Sequence, residues 1–151
     1  MKGAHSYEQD GMCRGCGSVN GCKVWWYRTP RSVCLFTPAL REQEVRVARV
    51  DLEAQGIMCR TSWLDEGWYR EELEVRLRSI IDDVRSSDAL VLATMTNGLL
   101  GSIEDGLLGM ALAMEKRIIV NGPMRNALYH LPEIDKATTW AHVLELLRGR
   151  A

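Results

Sequence analysis

The chain has 151 residues and nearly balanced charge, with 19 Lys and Arg against 20 Asp and Glu. A chain of this length buries about 70% of the surface its unfolded form exposes, which predicts one domain with its own core. The balanced charge gives no reason to expect a polymeric nucleic acid as partner. No apolar run approaches the roughly 20 residues of a membrane helix, and the amino terminus lacks a signal-peptide core. We therefore expect no membrane partner and a cytoplasmic location.

Residues 1–31 form a segment of their own, rich in glycine, cysteine and polar residues and without lasting periodicity. Cys13 and Cys16 form a CxxC turn of the kind that wraps a tetrahedral metal. In a reducing cytosol such a cluster favours a metal over disulfides. The segment therefore predicts a structural zinc site whose ligands are His5, Cys13, Cys16 and Cys22. The alternative is a flexible tail with three free thiols.

From residue 32 onwards, short apolar runs alternate with stretches at helical spacing. The predicted order is strand 32–37, helix 39–55, strand 57–61, helix 70–86, strand 89–93, helix 103–115, strand 118–120, a weakly signalled strand 136–138 and helix 140–148. Continuous apolar runs are typical of parallel strands that helices cover on both faces. Residues 32–151 therefore predict a doubly wound α/β domain, with a mostly parallel five-stranded sheet in the flavodoxin-like order. Cys34 and Cys59 fall in these strands and are expected to be buried, inert thiols.

A glycine-bearing loop, residues 94–102, leaves the third strand and leads into a helix. Ligands of open α/β sheets bind at this edge, where backbone N–H groups and the helix dipole favour anions. Glu104 and Asp105 stand at the lip of this predicted site. The loop after the second strand carries Trp63 and Trp68, whose ring faces are suited to stacking on a nucleobase. Packing of these rings onto the core is the alternative, favoured for Trp68 and left open for Trp63.

Several stretches between residues 33 and 140 follow one another in the order and at the spacing of the motifs of one protein family. They are Thr61-Ser62-Trp63-Leu64, Ser87-Asp88-Ala89-Leu90-Val91-Leu92, Gly109-Met110-Ala111-Leu112-Ala113 with Lys116, and Val120-Asn121-Gly122-Pro123 with Asn126 and His130-Leu131-Pro132. Together they resemble the nucleoside 2-deoxyribosyltransferase-like family, including its small phage-type members. The resemblance covers roughly three quarters of the chain.

The resemblance implies cleavage of the N-glycosidic bond between a base and deoxyribose by a glutamate nucleophile. A covalent glycosyl-enzyme would form, and water or a second base would resolve it. The implied partner is a small nucleoside or nucleotide, no cofactor is needed for catalysis, and the sequence leaves a homo-oligomer open. Glu104 would be the nucleophile, with Asp105 or Asn97 positioning the sugar hydroxyls. The expected substrate-binding residues are Thr37, Ser62, Trp63, Asn97, Gly101, Ser102, Gly122, Pro123 and Asn126.

The sequence departs from the family at its central position. Alignment through Gly109 and Lys116 puts Leu107 where the family glutamate stands. Glu104 lies nearly one helical turn earlier, about 4.5 Å along the axis, and faces the same side. An acid that many members carry after the third strand is absent, and Thr94 begins that loop.

Two hypotheses follow from this departure. In the first, Glu104 serves as the nucleophile of a nucleoside or nucleotide salvage enzyme. In the second, the chain is a catalytically inactive module that binds a nucleotide. An electron-transfer protein of flavodoxin type is disfavoured because residues 37–40, after the first strand, lack a phosphate-binding loop rich in Ser, Thr and Gly.

Overall fold

The computed structural model describes residues 29–37, 41–65, 67–94, 102–123 and 130–148. Within them the chain alternates strands and helices in the predicted order. The elements are β1 Ser32–Phe36, α1 Glu42–Ala54, β2 Met58–Arg60, α2 Leu73–Ser86, β3 Ala89–Ala93, α3 Ser102–Ala113, β4 Arg117–Asn121, β5 Ile134–Ala137 and α4 Trp140–Leu147. Two short 3₁₀ helices, Ser62–Leu64 and Trp68–Arg70, connect β2 to α2.

The described strands form one sheet in the order β2-β1-β3-β4-β5, and every neighbouring pair is parallel. This is the doubly wound, flavodoxin-like arrangement that the sequence predicts. The order reverses between β1 and β3, because the chain moves to β2 on one side and to β4 and β5 on the other. In such folds this reversal is the topological switch point at the carboxyl ends of the strands.

Helices cover the sheet on both faces, which is why β1, β3 and β4 are buried along their whole length. Helices α2 and α3 pack against each other, while α1 and α4 line a common groove. Arg117 of β4 reaches α4, where its guanidinium donates to the carbonyl oxygen of Leu146. By the alternation of side chains along a strand, Ile119 and Asn121 also point to the α1/α4 side.

Local capping explains where several helices begin and end. Thr139 caps α4 as predicted, because its hydroxyl accepts a 3.1 Å hydrogen bond from the backbone N–H of His142. Helix α1 ends in a Schellman motif: Gly56 has φ +81°, and the N–H of Ile57 donates to the carbonyl of Leu52 at 3.1 Å. Helix α2 begins at Leu73 rather than near residue 70, because Trp68–Arg70 form a 3₁₀ helix and Glu71 and Glu72 have extended backbone.

Residues 29–31, the described part of the amino-terminal region, form hydrogen bonds with this domain. The hydroxyl of Thr29 donates to the carbonyl of Arg148 at 3.0 Å, and the N–H of Arg31 donates to Asp88 at 2.9 Å. None of the helices in the described ranges has the length and apolar character needed to cross a membrane.

Candidate functional site

The candidate site lies at the carboxyl ends of β1, β3 and β4. Helix α1 follows β1 on one face of the sheet, and α3 follows β3 on the other, so their amino termini flank a crevice. Three of the predicted residues, Asn97, Gly101 and Asn126, lie outside the described residues. Ser102 begins α3, as predicted for a residue at the helix start.

Glu104 occupies the first turn of α3 on its sheet-facing side. Its side chain shares that face with Leu107, Leu108 and Ala111, and the residue is only 8% exposed. No side chain or backbone group in the described ranges forms a hydrogen bond or ion pair with its carboxylate. The helix dipole favours a negative charge in this turn. Glu104 is therefore an enclosed carboxylate whose oxygens have no partner in the described protein.

Leu107 and Asp105, the other two α3 residues on which the family resemblance depends, differ from Glu104 in their surroundings. Leu107 is 4% exposed and belongs to the main hydrophobic core, one turn below Glu104 on the same face. Asp105 is on the exposed face of the helix. The structure thus places Glu104 closest to the carboxyl edge and Leu107 inside the core.

Arg41 spans the switch point, a role that no pattern in the sequence predicts. It immediately precedes α1, and its Nη1 donates to the carbonyl oxygens of Thr94 and Asn121, the latter at 3.1 Å. Its Nε pairs with Glu44 one turn into α1. The guanidinium, on a side chain only 19% exposed, therefore joins the start of α1 to the ends of β3 and β4.

Short polar contacts hold the ends of the three strands together. The buried hydroxyl of Thr37 donates to the carbonyl of Ala93 at 3.0 Å. The hydroxyl of Thr94 donates to the carbonyl of Pro123 at 3.0 Å, and its backbone N–H donates to Asn121 at the same distance. Thr37, Gly122 and Pro123, all predicted to line the crevice, are therefore at this edge of the sheet.

Gly122 permits the close approach of β4 to the loop after β3. Its φ is +132°, and a Cβ placed on it would lie 2.2 Å from Oγ1 of Thr94. A residue with a side chain does not fit there without displacing Thr94. The glycine is required by both its backbone conformation and this contact.

Asn121, the last residue of β4, carries a buried amide without a protein partner. The residue is 1% exposed, and neither Oδ1 nor Nδ2 has a hydrogen-bond partner among the described residues. Buried side-chain amides almost always form hydrogen bonds, so an exception requires an explanation. The sequence showed Asn121 only as part of a turn.

Ser62 is engaged by a buried carboxylate on α2. Its backbone N–H and its hydroxyl donate to the two oxygens of Asp83, at 2.9 and 2.8 Å. Asp83 is 8% exposed, and this burial raises the pKa of its carboxyl above the ordinary value, although the two hydrogen bonds from Ser62 oppose the shift. In this structure both polar groups of Ser62 thus anchor the loop to α2.

Both tryptophans of the loop pack onto the domain. Trp63 is 2% exposed, donates from Nε1 to the carbonyl of Leu35 at 2.7 Å, and packs edge-to-face on Phe36. Trp68 is half-buried and donates to the hydroxyl of Ser79 at 2.9 Å. The position of Trp68 confirms the packing that the sequence favoured. The ring of Trp63 leaves almost no surface for stacking on a ligand in this conformation.

The thiols of the sheet are shielded. Cys34 and Cys59 are free and buried, as predicted. Burial raises the pKa of Cys34 and raises that of Cys59 to about 12, so both stay protonated near neutral pH. The proposed zinc ligands His5, Cys13, Cys16 and Cys22 lie outside the described residues, and within those residues no group of three or more His, Cys, Asp or Glu could hold a metal.

An apolar groove of about 330 Å³ runs between α2 and α3. It is lined by Leu77, Ile80, Ile81, Ile103, Gly106, Leu107 and Met110. Glu104 does not line it. The groove and the carboxylate are therefore separate features of α3.

No protein-family model matches the sequence, and no curated protein matches it significantly. The site is therefore interpreted from its own geometry, in which the enclosed carboxylate of Glu104, the bridging guanidinium of Arg41 and the amide of Asn121 are the main chemical features.

Proposed function

We propose that the chain cleaves the N-glycosidic bond of a deoxynucleoside or deoxynucleotide, or transfers its deoxyribosyl group to a second base, with Glu104 as nucleophile. The observation that carries the proposal is the carboxylate of Glu104, enclosed in the first turn of α3 and without a hydrogen-bond partner in the described protein. A carboxylate held by an arginine or a hydroxyl would lose that interaction on attacking carbon. No described residue occupies the lone pairs of Glu104, and the dipole of α3 supports the negative charge.

The proposed reaction has two steps. An oxygen of Glu104 bonds to C1′ of the sugar while the C1′–N bond breaks, and the base leaves with the bonding electrons and takes a proton from water. Water or a second base then attacks C1′, the ester to Glu104 breaks, and the carboxylate is restored. Asp105 or Asn97 is proposed to position the sugar hydroxyls. We also propose that the chain is a member of the deoxyribosyltransferase-like family, and the order and spacing of the motifs between residues 33 and 140 support this proposal.

The test is base release or exchange by purified protein. Deoxynucleosides and deoxynucleoside monophosphates are incubated with and without a second base, and the products are separated by chromatography. Glu104→Gln keeps the shape of the side chain but removes the nucleophile, so turnover should fall by at least about 1000-fold while ligand binding persists. Glu115→Gln, the same substitution at an exposed residue just after α3, is the matched control and should retain full activity. Activity that survives Glu104→Gln would refute the proposal.

The second candidate is a nucleotide-binding module without turnover. It is favoured by Leu107, which lies in the core where the family glutamate is expected, and by Thr94, which begins the loop that carries an acid in many members. Saturable binding of a nucleotide with no base release from any substrate would support this candidate. Leu107→Glu is a poor rescue of activity, because its carboxylate would be placed in the hydrophobic core.

A further inference from the structure

The guanidinium of Arg41 contacts the backbone of Asn121, whose side-chain amide has no partner among the described residues. Arg41 donates to the backbone carbonyl of Asn121 itself, and it approaches from α1, the side of the sheet to which the Asn121 side chain points. Nη2 of Arg41 makes no hydrogen bond in the described part of the chain, since the contacts of this guanidinium use Nη1 and Nε. Two sets of N–H donors therefore lie near each other at the end of β4.

The charges and donors of this corner are suited to an oxyanion. Nη2 of Arg41 and Nδ2 of Asn121 each offer two N–H groups, and the guanidinium keeps its charge at all physiological pH values. Oδ1 of Asn121 has no donor, and a protonated phosphate oxygen or an adjoining hydroxyl would supply one. Glu44 accepts from Nε and not from Nη2, so the N–H groups of Nη2 remain for a ligand.

We propose that Arg41 and Asn121 bind the phosphate of the ligand, so that the substrate is a deoxynucleoside monophosphate rather than a deoxynucleoside. This inference rests on the proposed function for the nature of the sugar and base. Phosphate oxygens accept from Nη2 and Nδ2, which satisfies the orphaned amide and adds charge-assisted hydrogen bonds. Both amide atoms are shielded from solvent, so the atoms that cover them must move when the ligand enters.

Binding of matched pairs tests the proposal: each of the four deoxynucleosides is compared with its 5′-monophosphate by calorimetry. The monophosphates should bind at least about tenfold more tightly in the wild type. Asn121→Leu should remove about tenfold of the monophosphate affinity and leave that of the nucleosides unchanged. Because the replaced amide has no protein partner, this variant should be at least as stable to heat as the wild type. Asn121→Asp, which adds a negative charge, should weaken the monophosphates further.

Trp140→Phe is the control variant. It also removes a buried N–H without a partner, but on α4, and it should leave the binding of both ligand types unchanged. Equal affinities for nucleosides and monophosphates would overturn the proposal. The proposal would also be overturned if Asn121→Leu lost stability but kept the wild-type ratio of monophosphate to nucleoside affinity. That result would mean that the amide binds an internal water rather than the phosphate.

The outcome is separable from that of the proposed function. Base release from nucleosides and monophosphates with equal efficiency would support the reaction of Glu104 and refute the phosphate site. Selective binding of monophosphates that depends on Asn121, without base release, would support the phosphate site and refute the reaction.

Discussion

Gly122 and Thr94 approach so closely that a Cβ on the glycine would lie 2.2 Å from the threonine hydroxyl. Gly122→Ala should therefore break the 3.0 Å hydrogen bond from Thr94 to Pro123 and add strain at φ +132°. We expect a loss of about 1–3 kcal/mol in the free energy of unfolding. Urea denaturation measures this loss.

Gly67→Ala provides the matched control, because Gly67 has φ +85° and open space where a Cβ would be placed. Its cost should be backbone strain alone, about 1 kcal/mol. If the two variants lose the same stability, the contact with Thr94 makes no difference.

Trp63 is expected to stabilise the core. Trp63→Phe removes the 2.7 Å hydrogen bond to the carbonyl of Leu35 and should cost about 1–3 kcal/mol in the free energy of unfolding. Trp68→Phe, which removes the bond to the half-buried Ser79, should cost less, about 0.5–1.5 kcal/mol. Denaturant unfolding compares the two variants. A Trp63→Phe variant of full stability but weakened nucleotide binding would assign the ring to the ligand instead.

Asp83 should make stability depend on pH. Burial raises its pKa in the folded state above the unfolded value of 3.8, so the folded protein holds this proton more tightly. The favourable contribution is present below the unfolded pKa and is lost as pH rises from that value through the raised folded pKa. The stability of the wild type relative to Asp83→Asn should therefore decline as pH rises through this window.

Unfolding by urea at a series of pH values tests this linkage. Asp82→Asn is the control, because Asp82 is an exposed neighbour on α2 that pairs with Arg85 at 3.6 Å. If the stability of the wild type relative to Asp83→Asn rises with pH instead, burial does not raise the pKa of Asp83.

The five cysteines should separate into two reactivity classes. In native protein treated with a chelator, we predict that Cys13, Cys16 and Cys22 react with a thiol reagent, while Cys34 and Cys59 react only after unfolding. Their raised pKa values and burial keep the last two as protonated, inaccessible thiols. Counting the modified thiols before and after adding denaturant checks this division.

The zinc prediction needs a separate measurement. Protein purified in the reduced state without chelator should contain zinc, and Cys13→Ser should lose it while Cys34→Ala keeps it. Less than about a tenth of an equivalent of metal in the wild type would exclude the site, because structural zinc is bound tightly enough to survive purification.

The sheet was predictable because each of its central strands contains an uninterrupted apolar run. The runs at 89–93 and 118–120 have no polar interruption, and the structure extends the second to Arg117–Asn121. The weakly signalled last strand, predicted at 136–138, is confirmed at Ile134–Ala137, so that it begins two residues and ends one residue earlier than predicted. In the described sheet it is an edge strand, and only its first and last residues are buried, so its sequence pattern is weaker than that of a central strand.

The polar residues of the site were less predictable, because their partners are distant in sequence. Arg41 contacts carbonyls 53 and 80 residues away, and a backbone carbonyl leaves no trace in the sequence. Asp83 lies in a charged stretch of α2, and only its two bonds from Ser62 explain its burial. The place of Glu104 in the first turn of α3 was predictable, because a strand, a glycine-bearing loop and a helix start form a local pattern.

Thr94 is shared by the contacts of Arg41, Asn121 and Pro123, and this sharing has a consequence for protein engineering. Arg41 uses its carbonyl, Pro123 accepts from its hydroxyl, and Gly122 lies against that hydroxyl. Residues with a common partner show non-additive effects, with coupling energies of about 0.5–3 kcal/mol. Libraries that vary positions 41, 94 and 122 one at a time will therefore miss compatible combinations, and these three positions should be randomised together.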